Sequence, residues 1–169
     1  MLRHLIRRGL AIALFSLLPL SLTAAGDSDF LLITVTKIID GDSVNGKTVR
    51  LRLHGIDAPE MGQECHDRNG AIYDCGIEAK SYLETMIHIG SQIKCDVVDI
   101  DRYRRIVARC QYHQNDRPYD ISKAMVANGW ALAYRRYSKD YVTEEQDAQK
   151  SKKGVWQGRF TPPEIWRRQ

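Results

Sequence analysis

The sequence lacks an apolar run long enough to span a bilayer. The run Leu10–Leu22 has 13 residues, whereas a transmembrane helix needs roughly 18 to 20. Three arginines precede this run, and Thr23–Ala25 follows it with small residues, a pattern typical of a signal peptide cleaved after Ala25. No cysteine follows the run closely, which argues against a lipoprotein signal. We therefore expect a secreted or periplasmic protein, with an uncleaved membrane anchor as the alternative.

The mature chain also has little net charge. The full sequence has 25 Lys and Arg against 21 Asp and Glu, and removing the three arginines of residues 1–25 leaves 22 − 21 = +1. Overall charge therefore does not indicate a nucleic-acid partner, and any affinity for phosphate must come from where the arginines lie. Internal repeats and low-complexity segments are missing too, so we expect residues 26–169 to form a single domain.

Cysteines are few, and their even number in an exported chain predicts disulfides. The segments Gln92–Ile100 and Arg105–His113 have the pattern of two strands around a tight turn at Asp101–Arg104. In such a hairpin, positions whose numbers sum to 205 face each other. Cys95 and Cys110 meet this condition, at a Cα separation of about 4.5 to 5.5 Å that suits a disulfide.

The two other cysteines then pair with each other. Cys65 and Cys75 would close a short surface loop. The alternative is a metal site built from these two cysteines and His66, but the spacing matches no common zinc pattern.

The order of elements favours a small β-barrel with flanking helices over a βαβ sheet. β-rich segments come first, with a hairpin signal at Asn45-Gly46 and an alternating strand from Thr48 to His54. Helical patterns follow at about Gly76–Ile89, after an Asp120 N-cap, and from a Thr143 N-cap to Lys153. The end of the chain, Trp156–Gln169, is expected to be irregular.

Carboxylates cluster next to two of the predicted turns. Asp40-Gly41-Asp42 precedes the first hairpin, and Asp57 follows its second strand, so Asp42 and Asp57 are expected at the same end of the sheet. Two converging carboxylates repel each other unless a cation lies between them, and Ca²⁺ prefers oxygen ligands. An EF-hand is excluded because its sixth and twelfth positions would be Asn45 and Leu51. Stabilisation of each turn by its own aspartate is the alternative.

Two arginines extend this constellation. Arg52 lies on the polar face of the strand that leads to Asp57, and Arg105 follows the turn Asp101–Arg104. Guanidinium groups match phosphate oxygens in a two-pronged geometry and stay charged. Two of them beside a divalent cation would stabilise the extra negative charge of a phosphate under attack.

Four segments in this order resemble the successive signatures of the thermonuclease, or staphylococcal nuclease-like, family. They are Asp40-Gly41-Asp42-Ser43, Arg52-Leu53-His54-Gly55-Ile56-Asp57-Ala58-Pro59-Glu60, Gly76-Ile77-Glu78-Ala79 and Asp101-Arg102-Tyr103-Arg104-Arg105. The resemblance spans about Ile33 to Trp156. It implies an α+β fold, a five-stranded OB-type barrel with three helices, and Ca²⁺-dependent hydrolysis of DNA and RNA that leaves 3′-phosphate ends.

The resemblance also implies a metal site. Asp42 and Asp57 would bind Ca²⁺ together with the carbonyl oxygen of Ala58, and Asp40 would support them. Threonine is common in the family where Ala58 stands, but the expected ligand is the backbone carbonyl, so little is lost.

Roles in catalysis and substrate binding follow in the same way. Glu60 would orient or deprotonate the attacking water, while Arg52 and Arg105 would hold the phosphate. Tyr103 is expected to hydrogen-bond the phosphate. Tyr134 and Tyr137 are both candidates for stacking on a base, and the alignment does not choose between them.

One departure from the family pattern lies next to a key residue. Arg104 stands where the family usually has glycine, which puts the geometry of the turn before Arg105 in question. Two other functions are alternatives to a monomeric nuclease. One is a non-catalytic nucleic-acid-binding module on the same barrel, and the other is a structural role that uses Trp156–Gln169 for docking.

Overall fold

The computed structural model describes residues 30–169, so the predicted signal peptide lies outside the described part of the chain. The strands are β1 Phe30–Thr34, β2 Lys37–Ile38, β3 Ser43–Asn45, β4 Arg50–Leu53, β5 Ile56–Asp57, β6 Glu64–His66, β7 Ile72–Asp74, β8 Gln92–Ile100, β9 Ile106–Gln114, β10 Arg117–Asp120 and β11 Leu132–Ala133. The helices are α1 Cys75–Met86, α2 Ile121–Ala127, α3 Val142–Lys150 and α4 Pro163–Trp166, and a 3-10 turn spans Gly154–Gln157. The class is therefore α+β, as predicted.

The main sheet is curled. Its strands follow the order β1-β8-β9-β4-β3-β2, with β10 added to β9, and the β4–β9 pair is the parallel one. The two ends of this path, β1 and β2, are separated in sequence by only Val35 and Thr36. A nearly continuous segment therefore contributes to both edges, which bends the sheet towards a barrel.

The core lies inside this curl and under two helices. Leu51 and Leu53 of β4 are buried while Arg50 is exposed, as the alternation of a half-buried strand predicts. Leu83 of α1 and Met125 of α2 close the core and are fully buried. Burying one such side chain stabilises the folded state by about 1.5 to 3 kcal/mol. Packing of this interior therefore keeps the strands, and the site residues at their ends, in place.

Both disulfides form as predicted. Cys95 and Cys110 are paired in the β8–β9 ladder with Cα atoms 4.1 Å apart, and Cys65–Cys75 links β6 to the start of α1 at 5.7 Å. The tight turn at Asp101–Arg104, from which the Cys95–Cys110 pairing was predicted, is wrong. Ile100 pairs with Ile106, which leaves a five-residue loop, and an irregularity between Val97 and Asp99 shifts the register by one and restores the predicted cysteine pairing.

The first hairpin turn also differs from its prediction. Asn45 pairs with Arg50, so the connection is the four residues 46–49 rather than a two-residue turn at Asn45-Gly46. A two-residue type I′ turn requires positive φ at both central residues, and neither Asn45 nor Gly46 is among the residues with positive φ. The Asn45 carbonyl is held instead by the backbone and hydroxyl of Thr36.

The helices differ from the prediction in number and in several boundaries, since α1 ends at Met86 rather than Ile89 and α3 at Lys150 rather than Lys153. Asp120 caps α2, and its carboxylate accepts a hydrogen bond from the backbone of Lys123 at 2.9 Å. The third helix starts two residues earlier than expected, with Tyr141 rather than Thr143 at its N-cap. The tail, expected to be irregular, contains α4, because Pro163 at its first position has a backbone already suited to a helix start. None of the described helices is long and apolar enough to cross a bilayer.

Candidate functional site

Asp42 and Asp57 lie side by side at one end of the sheet, as the hairpin argument predicted. Asp42 directly precedes β3 and Asp57 ends β5. Both are buried, with 2% and 3% of their surface exposed. Asp42 Oδ2 accepts a hydrogen bond from the Ala58 backbone at 2.9 Å, which ties the two turns together.

Arg52 joins the two aspartates. Its Nη1 lies 2.5 Å from Asp42 Oδ1, and its Nη2 lies 3.0 Å from Asp57 Oδ1. Burial by itself lowers the pKa of this guanidinium, but the adjacent Asp42 and Asp57 carboxylates outweigh it and the pKa is raised. Arg52 is therefore a fixed positive charge between two buried negative ones.

Asp40 supports this pair from the preceding turn. Its Oδ1 accepts a hydrogen bond from the Asp42 backbone at 3.0 Å. Burial, and then repulsion from the Asp42 carboxylate, raise the pKa of Asp40 to about 7. Asp40 therefore holds the turn that positions the Asp42 carboxylate.

Glu60 follows Asp57 on the loop after β5. Its backbone N–H donates to Gln63 Oε1 at 3.1 Å, and the loop packs tightly on the start of α1. A Cβ atom added at Gly76 would overlap the Glu60 carbonyl oxygen. The glycine of the third sequence motif therefore permits the close approach that positions Glu60.

Arg105 reaches the site from the β8–β9 loop. Asp101 holds it there, because the two Asp101 carboxylate oxygens accept from the Arg105 backbone at 2.9 Å and from its Nε at 2.7 Å. Arg104 adopts φ +61°, the left-handed conformation that glycine takes without strain. The usual glycine conformation is thus kept at Arg104, at a cost of roughly 1 to 2 kcal/mol.

Three tyrosines lie around the same opening. The Tyr103 ring is 5.5 Å from the Arg105 guanidinium carbon. Tyr134 and Tyr137 form an edge-to-face pair with ring centroids 4.8 Å apart. Tyr137 is the more exposed of the two, at 64%.

These groups face a common cleft of about 1110 Å³. Its wall includes Arg52, Glu60, Arg105 and the three tyrosines Tyr103, Tyr134 and Tyr137. Asp42 and Asp57 do not line this cleft but are ion-paired to Arg52, which does, and Asp57 lines a smaller adjoining pocket that also contains Tyr134. The structure therefore brings the predicted residues into one region and separates the acidic pair, which is buried, from the groups that face solvent.

Sequence reasoning missed one member of the site, Arg167. Its Nη1 lies 3.0 Å from Asp57 Oδ1 and 2.5 Å from Glu60 Oε1, and its Nη2 donates to Asp57 Oδ2 at 3.0 Å. Burial lowers the pKa of Arg167, but these hydrogen bonds outweigh it and the pKa is raised. The sequence around Arg167 shows only an arginine shortly after Pro162-Pro163. Such a pattern does not predict a contact with Asp57 and Glu60, which lie more than 100 residues earlier in the chain.

The donor set fits a divalent cation. Four carboxylates, those of Asp40, Asp42, Asp57 and Glu60, face the guanidinium groups of Arg52 and Arg167, so with every group charged the balance is −4 + 2 = −2. Carboxylate oxygens are the ligands that Ca²⁺ prefers. Among residues 30–169, no three His, Cys, Asp or Glu side chains form a metal site by themselves. A cation here would therefore need backbone carbonyl or water ligands as well.

Comparison with known proteins identifies the family of this chain. The family described as staphylococcal nuclease homologue matches residues 50–158. A protein named micrococcal nuclease from Shigella flexneri is 31% identical over 148 residues, covering 79% of each chain. An uncharacterized endonuclease from Haemophilus influenzae strain ATCC 51907 is 31% identical and covers 80% of this chain and 72% of its own.

Other relatives are longer than the matched region. The succinoglycan biosynthesis protein ExoI of Rhizobium meliloti strain 1021 is 30% identical over 126 residues, which is 74% of this chain and 64% of that protein. The matched region spans 51% of the probable endonuclease LCL3 of Komagataella phaffii. The family match includes Arg52, Asp57, Glu60 and Arg105 but ends before Arg167. The chain belongs to the family of staphylococcal nuclease homologues.

Proposed function

We propose that this chain is an exported nuclease that hydrolyses phosphodiester bonds of DNA and RNA, requires Ca²⁺ and leaves 3′-phosphate ends. The observation that carries the proposal is the cleft in which Arg52, Arg105 and Glu60 line one surface above the buried Asp42–Asp57 pair. Endonuclease and micrococcal nuclease names among the relatives support the same reaction class. DNA and RNA are the substrates, no stable protein partner is implied, and the enzyme acts as a monomer.

The side chains of the cleft have different roles in the proposed reaction. Arg52 and Arg105 can each donate two hydrogen bonds to phosphate oxygens and stay charged throughout. Glu60 is exposed enough to accept a proton from a water attacking in line. When bound by Asp42, Asp57 and the Ala58 carbonyl, Ca²⁺ would supply further positive charge next to the phosphate.

The aromatic side chains fit a substrate without sequence preference. Tyr134 and Tyr137 line the cleft and offer ring faces on which bases stack, while Tyr103 lies beside Arg105 within reach of a phosphate. Contacts to phosphates and stacked bases carry little sequence information. Both DNA and RNA are therefore expected to be cut, at many sequences.

The proposal extends to the fold. We infer that the curled sheet is a five-stranded OB-type barrel in which β1 and β2 are one bent strand. The basis is that the two ends of the sheet path are consecutive in sequence. Barrels of this type bind oligonucleotides on one face, which agrees with the position of the cleft.

Removal of the cation tests the activity. Plasmid DNA and RNA should be cleaved in Ca²⁺, and excess chelator should slow cleavage by about 10²-fold or more, because a bound cation supplies several kcal/mol of transition-state stabilisation. The products should accept a 5′-label from a kinase without prior phosphatase treatment, since their 5′ ends would be hydroxyls. Equal rates with and without chelator would contradict the proposal. Binding of single-stranded DNA without cleavage would favour a non-catalytic module.

A further inference from the structure

The C-terminal tail, residues 159–169, lies outside the family match yet returns to the cleft. Backbone carbonyls of this tail accept hydrogen bonds from the loop and hairpin that follow Glu60. Gln63 is fully buried, and its Nε2 donates to the Thr161 carbonyl at 2.7 Å. The His66 backbone donates to the Arg159 carbonyl at 2.8 Å. The tail is therefore docked on the segment that carries Glu60.

A small second core anchors the start of this tail. The Cys65–Cys75 disulfide and Val155 are fully buried, and Trp156 and Phe160 pack against them with ring centroids 4.9 Å apart. The disulfide links the β6–β7 hairpin to α1, so the platform under the tail is cross-linked. The start of the tail, as far as Phe160, is thus held by apolar packing against a cross-linked platform.

Arg167 directly follows α4 and is the residue that the docked tail delivers to the site. Two of its nitrogens contact Asp57 and one of these also contacts Glu60. Within residues 30–169, the Glu60 carboxylate has no other hydrogen-bond or ion-pair partner. Its side chain is 29% exposed, so without Arg167 no polar contact in this part of the structure would orient the carboxylate group.

We propose that Arg167 is a positioning residue of the nuclease, which holds the Glu60 carboxylate in the orientation needed to accept a proton. The proposal rests on the proposed role of Glu60 in the reaction. A base that is free to rotate spends little time within hydrogen-bond reach of the attacking water, and misplacement by about 1 Å can lower a rate by roughly 10²-fold. The tail would then be part of the catalytic apparatus rather than an appendage.

The same contacts also predict an effect on Ca²⁺ affinity, which allows the test to distinguish positioning from other roles. Arg167 also engages both oxygens of Asp57, a predicted Ca²⁺ ligand, so its charge competes with the cation. Replacing Arg167 should therefore lower kcat while leaving Ca²⁺ affinity equal or higher. If Arg167 only supported the fold, its replacement would lower both kcat and Ca²⁺ affinity. If it only shielded Asp57, its replacement would change Ca²⁺ affinity and leave kcat unchanged.

The experiment compares Arg167→Ala, Arg167→Lys and Arg159→Ala with the wild type. Arg159 carries the same charge in the same tail, its side chain is exposed, and it forms no ion pair with the described residues. Each variant is assayed for kcat and KM on DNA at saturating Ca²⁺, for Ca²⁺ affinity by calorimetry, and for melting temperature.

The proposal predicts that Arg167→Ala lowers kcat about 30- to 100-fold with Ca²⁺ affinity unchanged or tighter. Arg167→Lys should recover part of kcat, because lysine keeps one charged donor, and Arg159→Ala should match the wild type. A kcat of Arg167→Ala within threefold of wild type would overturn the proposal. So would parallel losses of kcat and Ca²⁺ affinity that lysine does not rescue. Failure of the wild type to cleave DNA at all would instead refute the proposed nuclease function.

Discussion

Replacing Glu60 by glutamine is expected to lower the cleavage rate by about 10² to 10³-fold and to leave the fold intact. Removing a general base commonly costs a factor of this size. Glutamine keeps the shape of the side chain and can still accept a hydrogen bond from Arg167, but it cannot take up a proton. Arg167 keeps its two contacts with Asp57 in this variant, so neutralising Glu60 should change stability little.

Cleavage of a defined oligonucleotide at saturating Ca²⁺ measures this effect, with the melting temperature recorded for each variant. Glu64→Gln is the matched control, since Glu64 lies four residues later, is exposed and forms no ion pair within residues 30–169. It should behave as wild type. Glu60→Gln retaining more than a third of the wild-type rate would show that Glu60 does not act on the attacking water.

Replacing Arg52 by alanine is expected to damage both stability and activity. Its guanidinium, 16% exposed, is the shared counter-charge of Asp42 and Asp57, which are almost completely buried. Removing one partner of a buried ion pair leaves an uncompensated charge and typically costs about 3 to 5 kcal/mol. The same change removes one of the two guanidinium groups proposed to hold the phosphate, so activity should fall by about 10²-fold or more.

The free energies of unfolding of Arg52→Ala and Arg109→Ala, measured in urea, compare the loss of a buried ion pair with the loss of a surface one. Arg109 pairs with Asp140 on the outside of the same sheet, both groups are 46% exposed, and such pairs contribute about 1 kcal/mol or less. Arg52→Lys keeps the charge without the forked geometry, so it should recover stability better than activity. Equal unfolding free energies for the two alanine variants would contradict the role given to Arg52.

The sequence was sufficient to predict the part of the site that depends on local pairing. Asp42 and Asp57 were expected together because the end of the second strand of a hairpin lies beside the start of the first. This is true whether the turn has two residues or four. The Cys95–Cys110 pairing was likewise correct although the turn was wrong. A bulge near Val98 compensates for the longer loop, and no simple pattern in the sequence marks that bulge.

The contribution of the tail was not predictable in the same way. Arg167 meets Asp57 and Glu60 across a separation of more than 100 residues, and the contact depends on packing around Cys65–Cys75 that local periodicity does not encode. The start of α4 is hard to predict because proline usually interrupts helices, whereas at the first helical position, where Pro163 stands, it is favourable. The roles of the individual site residues remain predictions.

The most direct measurement is a calorimetric titration of Ca²⁺ into the mature protein and its Asp42→Asn variant, with Glu64→Gln as control. If Asp42 and Asp57 hold one divalent cation beneath the arginines, wild type and control should each bind one Ca²⁺. Asp42→Asn should bind it more than about tenfold more weakly, because Ca²⁺ affinity depends on the number of charged ligands. Wild-type protein that binds no Ca²⁺, or an Asp42→Asn variant that binds it equally well, would contradict the account.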